Sequence, residues 1–175
     1  MGCTFQGIML FEGAEGVEQD KAASEPLLVK GCVVDARACS FLAKLKFEAG
    51  EVGPASLAAV DACTRGGAPM CVEHINATTK GCDDENATAC YALASLLDLG
   101  VDLKAPKRAL VNTRRNAALE RACSFGEAPA CADLAEFTEK GFYGIEADPR
   151  RARVLYQKGC ALEHAPSCAA LKKVR

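Results

Sequence analysis

The chain has 175 residues, half of them hydrophobic, with eleven cysteines and a formal net charge of −2. That charge gives no global drive toward nucleic acid or anionic membranes, and no run approaches the roughly 18 apolar residues that a bilayer span requires. The length suits one domain with a sizeable core or a short array of small units.

The opening, MGCTFQGIMLFEG, carries no basic residue and reaches Glu12 too soon for a secretory leader. Its Met-Gly start lacks the Ser or Thr of a myristoylation motif, since Gln6 stands there. Trp is absent, alanine is abundant, and Val and Ile never alternate as in strands, so the chain reads as all-α. A first helix runs from Cys3 to a glycine stop at Gly13, ten residues on. A second, capped by Asp20, ends in Lys30-Gly31-Cys32. Cys32 and Cys39 bracket a turn, and the next helix carries Leu42 and Leu45 before a stop at Gly50. Only 23 residues separate Cys39 from Cys63, so the helix over about Pro54 to Thr64 is expected to be short.

Cys63 and Cys71 bracket TRGGAPM. The ten residues from there to Cys82 begin after APMC and end in Lys-Gly-Cys, one helix standing where two are expected. Cys82 and Cys90 bracket DDENATA, and a helix with Leu93 and Leu96 stops at Gly100. The 32 residues between Cys90 and Cys123 leave room for roughly one extra helical turn. The unit from Cys131 matches the one from Cys3: Gly141, Gly144, Asp148 and Cys160 align with Gly13, Gly16, Asp20 and Cys32. Cys160 and Cys168 bracket ALEHAPS, and a polar tail with Lys172, Lys173 and Arg175 reads as a capping helix.

Two cysteines eight positions apart on a straight helix have Cα atoms about 12 Å apart, beyond the roughly 4.4–6.8 Å of a disulfide. A chain that leaves one helix, turns and starts another brings them together. Five staples follow: Cys32–Cys39, Cys63–Cys71, Cys82–Cys90, Cys123–Cys131 and Cys160–Cys168, with Cys3 unpaired. No C-x2-C occurs and both histidines are isolated, which argues against a metal site and against redox catalysis. Cystines at turn-defined spacing point to an oxidising compartment.

Helical hairpins recurring every 36–41 residues argue for an α-solenoid in a single domain over 1–175. Its approximate repeats are 1–34, 35–66, 67–83 (a degenerate single helix), 84–125, 126–161 and a capping helix at 162–175. The stretch CADLAEFTEKGFYGIEADPRRARVLYQKGC resembles the Sel-one-like repeat, a relative of the tetratricopeptide repeat, and the paired cysteines are similar to its cysteine-rich subset, such as the Helicobacter cysteine-rich proteins. That resemblance implies a right-handed superhelix whose concave surface is lined by the first helix of each repeat. It also implies that Cys3 is the second member of a pair whose partner lies about five residues upstream of Met1, in a natural chain that extends further and carries an export signal. A free functional thiol is the rival reading.

The family includes members reported to bind or hydrolyse β-lactams. The serine machinery for that chemistry is missing: Ser40 has its lysine at Lys44, one place too far, and neither Ser-Asp-Asn nor Lys-Thr-Gly occurs. His74, beside Glu73, reads as an exposed or core-edge histidine, and His164 lies in a cystine turn. The expected function is a non-enzymatic protein- or peptide-binding adaptor, monomeric, without cofactor, metal, nucleic acid or membrane insertion, in the periplasm or secreted. A β-lactamase-like protein and a mitochondrial intermembrane-space assembly factor are the alternatives. Outward offsets on the first helices select Phe41, Lys44, Glu48, Glu73, Ser95, Asp133 and Glu136 as binding candidates. Lys107, Arg108, Arg114 and Arg115 are expected on one broad helical face as an anionic-partner patch.

Overall fold

The computed structural model describes residues 2–14, 16–99 and 105–173. Ten α-helices follow in chain order: α1 (Gly2–Glu12), α2 (Lys21–Cys32), α3 (Ala36–Glu48), α4 (Val52–Gly66), α5 (Ala68–Asp83), α6 (Ala87–Leu99), α7 (Ala105–Ser124), α8 (Ala128–Lys140), α9 (Pro149–Ala161) and α10 (Ala165–Leu171). Among the described residues the one β feature is an isolated bridge between Ala14 and Val17 in the α1–α2 connection.

Local chemistry sets the helix ends. The Asp20 and Asp148 carboxylates accept the backbone N–H groups of Ala23 and Arg151 at 2.9 Å, each satisfying a donor that the first turn leaves orphaned. Gly141, at φ 69°, closes α8 in the left-handed conformation, which glycine adopts without steric cost. Gly100 and Lys104 lie outside the described residues.

Three of the cystine corners, Cys82–Cys90, Cys123–Cys131 and Cys160–Cys168, are built alike. The N–H groups of Asn86, Glu127 and His164 donate to the carbonyls of Gly81, Ala122 and Gly159 at 3.1, 2.9 and 3.1 Å, wrapping the end of one helix before the next begins. The third residue after the first cysteine then has positive φ: Glu85 at 63°, Gly126 at 100°, Glu163 at 62°. The corner brings the paired Cα atoms to 4.4–4.7 Å in all five disulfides, Cys32–Cys39, Cys63–Cys71, Cys82–Cys90, Cys123–Cys131 and Cys160–Cys168. Cys3 is free and exposed.

Packing depends on small residues. Leu28, Leu96 and Leu134 are the largest fully buried apolar side chains, surrounded by buried alanines such as Ala43, Ala59 and Ala135. A Cβ built on Gly7 would lie 3.0 Å from Leu28 Cδ2, so the small residue four places after the cysteine lets α2 close on α1.

Two expectations about helix length change. Helix α4 spans fifteen residues, so the short spacing between Cys39 and Cys63 is absorbed by the three-residue α3–α4 connection, 49–51. Pro54 sits in the first turn of α4, where its missing N–H costs nothing. Helix α7 has twenty residues against thirteen in α9, nearer two extra turns than one. Helix α5 is a single helix, and α4 packs not only on α5 but broadly on α6. Leu96 of α6 accordingly shares a buried cluster with Ala58 and Ala59 of α4.

Candidate binding face

Helices α3, α5, α6, α8 and α10 each carry the second cysteine of a corner as their fourth residue, so side chains counted from that cysteine occupy the same helical register. Two groups of polar side chains link neighbouring helices of this set.

The first joins α3 to α5. Ser40 Oγ lies 2.9 Å from both Glu73 Oε2 and His74 Nε2. Lys44 Nζ is 2.6 Å from Glu73 Oε1 and 4.8 Å from the centroid of the Phe41 ring, which stacks edge-on against Phe11 of α1. The Lys44 ammonium, helped by the Ser40 hydroxyl, holds the Glu73 carboxyl below its usual range. An ionised carboxylate only accepts, so Ser40 donates to Glu73 and His74 Nε2 donates to Ser40. A serine nucleophile needs the reverse, its hydroxyl donating to an unprotonated imidazole nitrogen. The cluster is therefore wired as a joint, not as a triad.

His74 is 2% exposed, which corrects its expected place at the surface or core edge. It stands three residues after its cysteine, the offset that turns Leu93 and Leu134 inward on α6 and α8. Burial pushes its imidazole pKa down.

The second group lies among α6, α7 and α8, around a cavity of about 90 Å³ lined in part by Tyr91, Ser95, Asp98, Arg115, Asp133 and Phe137. The Tyr91 hydroxyl donates to Asp133 Oδ2 at 2.9 Å, and Ser95 Oγ donates to the Tyr91 carbonyl at 3.3 Å. Burial raises the Asp133 carboxyl above its usual range. Burial raises the Tyr91 phenol as well, with the Asp133 charge adding to it.

The basic patch is not one face. Arg115 is 3% exposed; its guanidinium lies 3.3 Å from Asp98 Oδ1 and 3.7 Å from the Tyr143 ring centroid. Arg108 reaches the same Asp98 oxygen at 3.3 Å. Residues seven apart on a helix nearly superpose, whereas adjacent ones diverge by about 100°. Arg108 and Arg115 thus turn toward α6, while Arg114 lines a separate groove with Thr79, Asp83 and Arg121. The Lys107 side chain lies outside the described residues. Arg121, also in the basic stretch, straps a corner by donating to the Cys82 carbonyl and to Asp83 at 2.7 Å each.

Of the candidates chosen from sequence, Phe41, Lys44 and Glu73 meet in the first group, and Ser95 and Asp133 in the second. Glu48 stands apart, paired with Lys21 of α2 at 2.6 Å, and Glu136 pairs with Lys140 on its own helix. Sequence reasoning missed Ser40 and Tyr91, which both directly follow the second cysteine; that shared offset was the available signal. Among the described residues no group of three His, Cys, Asp or Glu side chains could hold a metal ion, and no helix is long and apolar enough to cross a membrane.

No protein-family model and no curated protein matches the chain. Among solved structures it is similar to a Sel1 repeat protein from Oxalobacter formigenes, at 17% identity and a TM-score of 0.46, over 97% of this chain and 73% of that one. It is similar also to c5321, a protective antigen of uropathogenic Escherichia coli strains displaying an SLR fold, at 17% identity and a TM-score of 0.47, over 97% of this chain and 40% of that one. Both neighbours are Sel1-type repeat structures.

Proposed function

We propose that the chain is a non-enzymatic binding scaffold of an oxidising compartment, periplasmic or secreted, that holds a protein or peptide segment against the register-matched side of α3, α5, α6 and α8. One observation carries the reading. The polar groups at matching offsets on these helices are tied sideways to the neighbouring helix, Lys44 to Glu73 and Tyr91 to Asp133, instead of converging on a reacting centre. Side chains fixed in this way lose little rotamer freedom when a partner docks, which favours affinity. Five cystines hold the helices that present them, and such bonds persist where the surroundings are oxidising.

The test is to pan a random twelve-residue phage-displayed peptide library on the oxidised chain and to map the enriched peptides by amide hydrogen exchange. The reading expects protection on α3, α5, α6 and α8, and at least tenfold weaker binding after Phe41→Ala with Ser95→Lys. Protection confined to α4, α7 and α9, or no enrichment, refutes it.

A further inference from the structure

Asp133, on the binding face, is a partly buried acid without a basic partner. Three neighbouring acids on these helices have one: Glu73 lies 2.6 Å from Lys44, Asp98 lies 3.3 Å from both Arg108 and Arg115, and Glu136 pairs with Lys140. Among the described residues no lysine or arginine bonds to Asp133; its partner is the neutral Tyr91 hydroxyl, 2.9 Å from Oδ2. Burial is the main cause of its raised pKa and the Glu136 charge adds to it, while His164 and Arg115 act on it only as charges, without a hydrogen bond. A carboxylate withdrawn from water with no counter-charge is unfavourable, and a cation brought to it offsets that loss.

This carboxylate lines the cavity of about 90 Å³ among α6, α7 and α8. The volume equals that of roughly three water molecules at about 30 Å³ each, room for the end of one side chain and not for a whole ligand. Its lining has two characters. Ala94, Leu119 and Phe137 are apolar, while Ser95 and Tyr91 bring hydroxyl oxygens with lone pairs to offer. A methylene chain ending in a charged donor suits both. Arg115, the cation in the wall, is engaged elsewhere, with Asp98 at 3.3 Å, Asn116 Oδ1 at 3.0 Å and the Tyr143 ring centroid at 3.7 Å.

We infer that this cavity is the socket for a lysine side chain of the bound peptide, its ammonium on Asp133 Oδ1 and the Ser95 hydroxyl and its methylenes against the apolar wall. The inference rests on the reading of this side as a peptide-binding face and supplies the chemistry that selects the peptide. Arginine suits the site less. A guanidinium fork gains most from two free carboxylate oxygens, and Tyr91 already engages Oδ2. It would also stand beside the Arg115 guanidinium. A compact ammonium takes single acceptors in several directions, which the lining provides.

The probes are three end-blocked pentapeptides, Ala-Ala-Xaa-Ala-Ala with lysine, arginine or norleucine in the centre. Each is titrated to about 10 mM into the oxidised, isotope-labelled chain, because one anchored side chain supplies affinity near the millimolar range. The lysine peptide should shift the backbone amide signals of Tyr91, Ser95 and Asp133. It should bind about fivefold more tightly than either of the others, the difference that one charge-assisted bond makes at a partly buried site. Asp133→Asn keeps the size of the side chain and should bring the three affinities together. If that variant misfolds, Ser95→Lys, which brings a tethered ammonium to Asp133, should do the same. No shift at these residues, an arginine or norleucine peptide that binds as tightly as the lysine one, or a lysine preference that survives Asp133→Asn or Ser95→Lys overturns the inference. Panned peptides that protect α3, α5, α6 and α8 while the preference is missing sink the socket alone; protection confined to α4, α7 and α9 sinks the face itself.

Discussion

Removing one cystine at a time separates what loop length contributes from what the joint holds. Cys123–Cys131 and Cys160–Cys168 close loops of the same length, each with a sequence separation of eight. Loop-closure entropy alone therefore assigns both the same stabilisation, about 2.6 kcal/mol at 25 °C for nine residues. The joints differ. Cys123–Cys131 ties α7 to α8 inside the largest buried cluster, with Leu119, Ala122 and Leu134 around it. Cys160–Cys168 ties on α10, a seven-residue helix whose one buried residue is Ser167. Opening the first exposes a core boundary, whereas opening the second frees only a terminal turn. Cys123→Ala with Cys131→Ala should lower the main unfolding midpoint by about 5–10 °C, the shift that 2.6 kcal/mol produces in a domain of this size. Cys160→Ala with Cys168→Ala should leave that midpoint within about 2 °C and instead speed amide exchange in α10. Differential scanning calorimetry and exchange mass spectrometry, both without reductant, measure the two effects. An equal fall in midpoint for the two pairs would refute the argument that the packed joint sets the contribution.

Two further outcomes follow from local geometry. Gly31→Ala should destabilise the chain by about 1–2 kcal/mol in chemical denaturation, although an exposed helical Gly→Ala change gains up to about 1 kcal/mol. Its Cβ would meet Thr4 Oγ1 at 2.8 Å and Thr4 Cα at 3.2 Å as well as Ala38, so the clash is with backbone as much as side chain; a neutral or stabilised variant sinks that reading. His74 gives a pH dependence with a defined sign. Burial lowers its folded pKa, so below about 6.5 the unfolded chain binds a proton that the folded chain refuses, and stability falls with pH by up to about 1.4 kcal/mol per unit. Thermal midpoints between pH 7.5 and 5 should drop for the parent chain and less steeply for His74→Gln; parallel curves for the two would contradict it.

The register of the candidate face was legible in part. Counting from each second cysteine located Phe41, Lys44, Glu73, Ser95 and Asp133, because a helix transmits register faithfully over a few residues. The same count would have placed His74 with Leu93 and Leu134 on the inward side, but a lone polar residue at an apolar offset gives no hint of the Ser40 and Glu73 groups that accommodate it. The basic stretch was misjudged for a related reason. Composition shows six cations between Lys104 and Arg121. It does not show that Asp98, on another helix, draws Arg108 and Arg115 inward to one oxygen.

Cysteine spacing alone determined the helix–corner–helix rhythm and the five staples. Eight residues cannot span a disulfide along a helix and can around a turn, which is local geometry that needs no knowledge of the rest of the chain. Only the tertiary structure decided how the irregular middle is resolved. There α4 keeps its full length and α6 closes on α4, because burying Leu96 against Ala58 and Ala59 depends on contacts between helices that spacing does not encode; that α5 stands alone was already legible in the sequence.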